Sequence, residues 1–184
     1  MSALPAPLIL TDDQFEDMAR RGAFVKVGRV ELRRGMLAAM SPVYMPHAGA
    51  VSELTQALLR AVGAAGLNLK VWNELSIRFG GGFQPTADIV VFDPAAVQDE
   101  SGPLPGAAAR LVVEVADASL ADDLGPKLED YAAAGLAEYW VADVQGGVLL
   151  RHAEPQAVGG YRVRAPAAMS GEVGALTLPL TLTL

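Results

Sequence analysis

Two carboxylates stand where a carboxylate is expensive. Glu114 lies inside the run Leu111-Val-Val-Glu-Val115, and Asp88 opens the run Asp88-Ile-Val-Val-Phe92. Both runs have the β-branched, apolar character of strands buried on two faces of a sheet. An isolated ionised carboxylate there costs several kcal/mol, so each acid needs a partner. If the two strands are neighbours, the carboxylates meet at one end of the sheet and repel, which raises one pKa unless a cation sits between them. A divalent metal resolves this, and oxygen-only ligands favour Mg²⁺ or Mn²⁺, which take one or two protein carboxylates and keep waters or substrate phosphate. The residues alone leave a structural alternative open. Asp88 can cap a turn after Pro85, and Glu114 can pair with Arg110 or Lys127. Lys127 follows Asp123 by four residues and precedes Tyr131 by four, which also fits an ordinary i,i+4 pair on a helix surface.

Other chemistries fall away. The chain of 184 residues has no cysteine, which excludes disulfides, thiolate zinc sites and cysteine nucleophiles. It has no phosphate-cradling GxxxxGK[ST], dinucleotide GxGxxG, HExxH or GxSxG motif. Of its two histidines, His47 at a helix start reads as a polar or capping residue and His152 as the close of a hairpin strand, with no role assigned. The N-terminal stretch has neither a basic region nor a long apolar core, and no later segment reaches membrane-span length, so a cytoplasmic protein with no membrane partner is expected. A net charge of −7 and an isoelectric point near 4.8 oppose nonspecific electrostatic binding of nucleic acid. Arg20, Arg21, Lys26, Arg29, Arg33 and Arg34 nevertheless all precede residue 35, so a locally basic face is one reading and solvated charges the other.

The elements that must position these residues follow from periodicity. Thr11 and Gln14 form a capping-box pattern ahead of a short helix ending by Gly22. The stretch 27–40 breaks at Arg34-Gly35 and reads as a hairpin. A helix with Pro46 in its first turn carries Val51, Leu54, Leu58, Leu59 and Val62 at helical spacing. Strands are expected over 69–72, 75–79, 87–92 and 111–115, with a surface loop over 94–106. Pro126 starts a helix that Gly135 stops. Strands over 138–144 and 147–152 complete the sheet, and the alternating tail LTLPLTLTL reads as a terminal edge strand. Length and pattern predict one α/β domain over residues 1–184, a mixed sheet with helices packed on it.

Taken together, these stretches resemble the Uma-type family of endonucleases within the PD-(D/E)XK, restriction-endonuclease-like superfamily, over nearly the whole chain. The resemblance is carried by Val30-Glu31-Leu32 with Gly35, Met40-Ser41-Pro42 before His47, Pro85-Thr-Ala-Asp88, Leu111-Val-Val-Glu114-Val, Asp123 with Lys127, Tyr131 and Gly135, and Glu138-Tyr-Trp-Val-Ala-Asp143. It implies a restriction-endonuclease-like core with an N-terminal helix and hairpin. Asp88 is then the motif aspartate, Glu114 the second acid, Lys127 the lysine, and Glu31 a fourth contributor, an acid from the hairpin. Three departures stand out. Thr86 and Ala87 separate Pro85 from Asp88. Ala116 occupies the usual lysine position, so the lysine comes from the next helix. Asp117 stands where a serine is common, and Gly125-Pro126 interrupts the chain ahead of Lys127. The implied activity is Mg²⁺- or Mn²⁺-dependent hydrolysis of nucleic acid, DNA foremost, by a homodimer. The rivals are a non-catalytic DNA- or protein-binding module and another phosphate-processing role on the same fold.

Overall fold

In a computed structural model, which describes residues 7–184, the chain builds a central seven-stranded mixed sheet with helices on both faces. The N-terminal leader reading falls partly on residues 1–6, outside the described residues. Helix α1 (Asp12–Arg20) is capped as expected: the Thr11 hydroxyl accepts from the Gln14 amide while the Gln14 side chain accepts from the Thr11 amide. Strands β1 (Val30–Arg33) and β2 (Met36–Ala39) pair as a hairpin. Arg34 and Gly35 both take positive φ at its tip, the backbone of a two-residue turn matched to strand twist. The tip docks on a glycine loop, where Gly35 donates to the Gly82 carbonyl at 2.9 Å. A Cβ on Gly82 would stand 2.7 Å from the Gly35 nitrogen, so residue 82 cannot carry a side chain at that crossing.

Helix α2 (Met45–Ala64) follows, then β3 (Lys70–Arg78), β4 (Thr86–Phe92), β5 (Leu104–Pro105), β6 (Ala109–Ala116), α3 (Leu120–Asp123), α4 (Pro126–Ala133), β7 (Glu138–Asp143), β8 (Val148–Pro155) and β9 (Tyr161–Ala168). The sheet order is β5-β3-β4-β6-β7-β8-β9. The β6–β7 and β3–β5 pairs are parallel and the others antiparallel. The parallel β6–β7 pair requires a crossover, and α3 and α4 supply it. On one face, Leu54, Leu58 and Val62 of α2 pack with Ile89, Val91, Leu111 and Val113. On the other, Leu128, Tyr131 and Ala132 of α4 pack with Val90, Val112, Tyr139 and Val141.

Several elements differ from expectation. The two strands read over 69–72 and 75–79 are one strand, β3, continuous through Glu74, whose φ of 51° marks an irregularity opposite Asp88. Leu59 faces water at 52% exposure, off the packed stripe of α2. The loop over 94–106 contains a 3₁₀ turn and β5. Strands β9 and β10 (Glu172–Gly174) and helix α3 had no expectation. The tail forms strand only over β11 (Thr181–Thr183), which pairs with β10 in a separate two-stranded sheet. Leu180 and Leu182 bury there against α2. Glu138 holds this return in place: fully buried, it accepts from the Trp140 indole and from the Leu176 and Thr177 amides at 2.6–2.8 Å.

Candidate active site

The position of Asp88 follows from where two strands part. The β4–β6 ladder pairs Ile89 with Val113, and one step further along, Asp88 stands across from Glu114 on the same face. Beyond this point the strands separate, and the Asp88 carboxylate takes over the ladder's role. Its Oδ2 accepts from the Val115 amide at 2.8 Å and meets His47 Nε2, from the first turn of α2, at 3.1 Å. Asp88 is therefore an internal strand residue held at the strand divergence rather than a turn cap.

Glu114 is buried at 3% exposure. Its Oε1 accepts from the Tyr131 hydroxyl at 2.8 Å and from Lys127 Nζ at 3.0 Å. Arg110 pairs instead with Asp93. Both Glu114 partners come from α4, whose residues 127 and 131 lie one turn apart on the inward stripe. Lys127 is itself buried at 7% and lies 3.9 Å from Asp123 Oδ1 and 4.0 Å from Glu31 Oε2. The expected surface i,i+4 pair with Asp123 is thus part of a buried cluster. Glu31 reaches the site from the hairpin, accepting from the Thr86 amide at 3.2 Å. Main-chain bonds between Leu32 and Gln84 fix that approach.

Burial governs the protonation of this cluster. It pushes the Glu114 carboxyl well above the usual carboxylate range, with Lys127 opposing and Asp88, Asp123 and Glu31 adding to the rise. Burial disfavours the Lys127 ammonium, but Glu114, Glu31 and Asp123 outweigh it and hold the amine above its ordinary value. Asp123 is likewise raised by burial, against Lys127 and the Ser119 hydroxyl. The Asp88 hydrogen bond raises His47 despite partial burial. One lysine among four carboxylates, Asp88, Glu114, Asp123 and Glu31, leaves the cluster short of positive charge.

That shortage, with the free oxygens, is the test of whether a divalent ion fits. Asp88 Oδ1 and Glu114 Oε2 have no hydrogen-bond partner among the described residues, and both residues line a cleft of about 450 Å³ with Glu31, Asp123 and Lys127. Two carboxylates on one face suit Mg²⁺ or Mn²⁺, which complete their shell with water and phosphate. No group of three or more His, Asp or Glu side chains forms a ready cage among the described residues, so protein atoms alone do not enclose an ion here.

The four acidic and basic residues singled out from sequence, Asp88, Glu114, Lys127 and Glu31, meet at this cleft. His47 joins them unexpectedly. A lone histidine at a helix start gives no local sign that its partner lies 41 residues away; the one signal was its place after Met40-Ser41-Pro42 in the family pattern. His152 lies elsewhere, buried and bonded to the Tyr139 carbonyl.

The Uma2 family model, described as "Putative restriction endonuclease", matches residues 12–183. The chain belongs to the Uma2 family. Its fold is similar to that of a protein from Anabaena variabilis ATCC 29413, described as "a putative nuclease belonging to DUF820", with 16% identity, a TM-score of 0.63, and coverage of 96% of this chain and 95% of that one. Among curated proteins there is no significant match to this sequence. Among the described residues, no helix of this Uma2 chain is long and apolar enough to cross a membrane.

Proposed function

We propose that this chain hydrolyses nucleic-acid phosphodiester bonds as a Mg²⁺- or Mn²⁺-dependent endonuclease, DNA being the first substrate to test, and that residues 1–184 act as one domain. The observation that carries this reading is the convergence of Asp88, Glu114, Lys127 and Glu31 on one cleft, in a chain of a family described as "Putative restriction endonuclease". Asp88 and Glu114 would hold the ion through their free oxygens. A divalent ion bound there supplies Lewis-acid polarisation of the phosphate and a more acidic water. Lys127, an ammonium fixed 3.0 Å from Glu114, orients water and offsets charge developing on the phosphate. Tyr131 holds the Glu114 rotamer, His47 holds Asp88 Oδ2 so that Oδ1 stays directed at the cleft, and Glu31 sets the position of Lys127 from the hairpin side.

A second reading, a nuclease fold retained as a DNA- or protein-binding module, is favoured by one observation. Five of the six basic residues before position 35, all but Lys26, are taken up in ion pairs. Arg20, Arg21, Arg29, Arg33 and Arg34 each pair with an acid. Calorimetric titration with Mn²⁺, run beside a nicking assay, separates the two. The hydrolytic reading expects binding that Asp88→Ala abolishes, together with nicking. Binding without cleavage of any nucleic acid supports the module.

A further inference from the structure

The cleft's size, its charge and one exposed ring restrict what can occupy it. At about 450 Å³ it falls within the range of small-ligand pockets, roughly 300–1,000 Å³. That accommodates one nucleotide unit and not a length of duplex. Its charge points the same way. Carboxylates outnumber cations along the lining, and the arginine and lysine side chains there, Arg29, Arg33 and Lys127, are each paired with an acid. A duplex backbone is held by neutralising many phosphates with free cations, and this wall offers none. A substrate presenting few phosphates suits it better.

Tyr44 supplies what the charges do not. It lines the cleft at the start of α2 yet keeps 67% of its surface exposed, between Val43 at 46% and Met45 at 88%. Its ring stacks on no other aromatic side chain among the described residues. A flat ring at the mouth of a site for a phosphodiester is the platform on which an unpaired base stacks, and such stacking is indifferent to sequence. A base still paired in a duplex has both faces occupied by its neighbours.

We infer that the cleft takes one unpaired nucleotide at a time, from a single strand or a frayed end, with its base on Tyr44 and its phosphate toward Asp88, Glu114 and Lys127. This inference rests on the hydrolytic reading, but its test does not depend on cleavage. Fluorescence anisotropy in Mn²⁺ would compare a labelled oligothymidylate with a blunt duplex of equal phosphate count, for the wild-type chain, Tyr44→Ala and Tyr44→Phe, with cleavage followed on the same samples. The expected result is single-strand binding at least about tenfold tighter than duplex binding, and a loss of roughly 5- to 100-fold in Tyr44→Ala, the size of one base-stacking contact. Tyr44→Phe keeps the affinity. Equal or tighter duplex binding, binding of neither, or an unchanged Tyr44→Ala overturns the inference. A Tyr44-dependent single-strand preference without cutting upholds it and removes the hydrolytic reading instead. Cutting of both substrates with equal affinity does the reverse.

Discussion

Lys127 is where the electrostatic account is most exposed to test. Removing its charge leaves Glu114, Asp123 and Glu31 facing one another in a buried site, and breaking a buried pair from one side costs about 3–5 kcal/mol. Lys127→Met is expected to lower the melting temperature by roughly 6–20 °C for a chain of this size. Added Mn²⁺ should recover part of that loss by replacing the missing charge. Differential scanning fluorimetry with and without Mn²⁺ checks both, and a structural ion pair with no metal role predicts no recovery. His47 gives a pH signature. Its folded-state pKa lies above the ordinary 6.5, with the Asp88 hydrogen bond as the largest cause. Its contribution to stability is therefore fully present below about pH 6.5 and is lost as the pH rises through the raised folded value. The rising cost of ionising Glu114 has the same sign, so the test is a difference. The melting-temperature gap between wild type and His47→Gln should be widest at mildly acidic pH and narrow as the solution becomes alkaline; a gap that is flat with pH would remove His47 from the site. At this scale Asp88 and Glu114 were legible because a carboxylate inside an apolar run breaks a local pattern. His47 was not, because nothing near it in the chain marks its long-range partner.

The elements act as positioning devices, and the hairpin is the clearest case. Leu32 is fully buried, and its main chain exchanges hydrogen bonds with Gln84, which holds Glu31 beside Lys127. Leu32→Ala should cost about 2–5 kcal/mol through the lost burial and the cavity. It should also reduce hydrolysis more than Leu37→Ala on the exposed side of the hairpin, where 44% of the side chain is in water. Chemical denaturation and initial-rate assays measure the two effects; equal rates in the two variants would detach the hairpin from the site. The elements legible in sequence are those with strong periodicity and clear stops: α1, the hairpin, α2, β4, β6, α4, β7 and its hairpin partner β8. The others lack such signals. Helix α3 is four residues long. Strand β5 is two residues and exists only by pairing with β3. Strand β9 alternates the exposed Arg162 and Arg164 with half-buried Val163 and Ala165 at the sheet edge. The break expected within β3 came from Asn73-Glu74, polar residues that the strand absorbs with a positive φ at Glu74.

At the scale of the molecule, an acidic chain with net charge −7 carries its candidate chemistry in a cleft that is itself rich in carboxylates. Arg29, Arg33, Arg34, Arg78, Arg110 and Arg162 each face an acid distant in sequence. Arg33 and Arg34 tie the hairpin to Asp122 and Asp130 of the helical crossover, so positive charge serves cohesion here more than attraction of a polyanion. In the proposed function a divalent cation would be the means by which phosphate approaches this cleft, which makes metal dependence the centre of that proposal. The most direct measurement is Mn²⁺-dependent cleavage of a labelled oligonucleotide by wild type, Asp88→Ala and Glu114→Ala, purified identically and confirmed folded by circular dichroism. The account predicts cleavage by the wild type that chelation abolishes and that falls by roughly 100-fold or more in each variant. Cleavage that persists undiminished in both variants would contradict it.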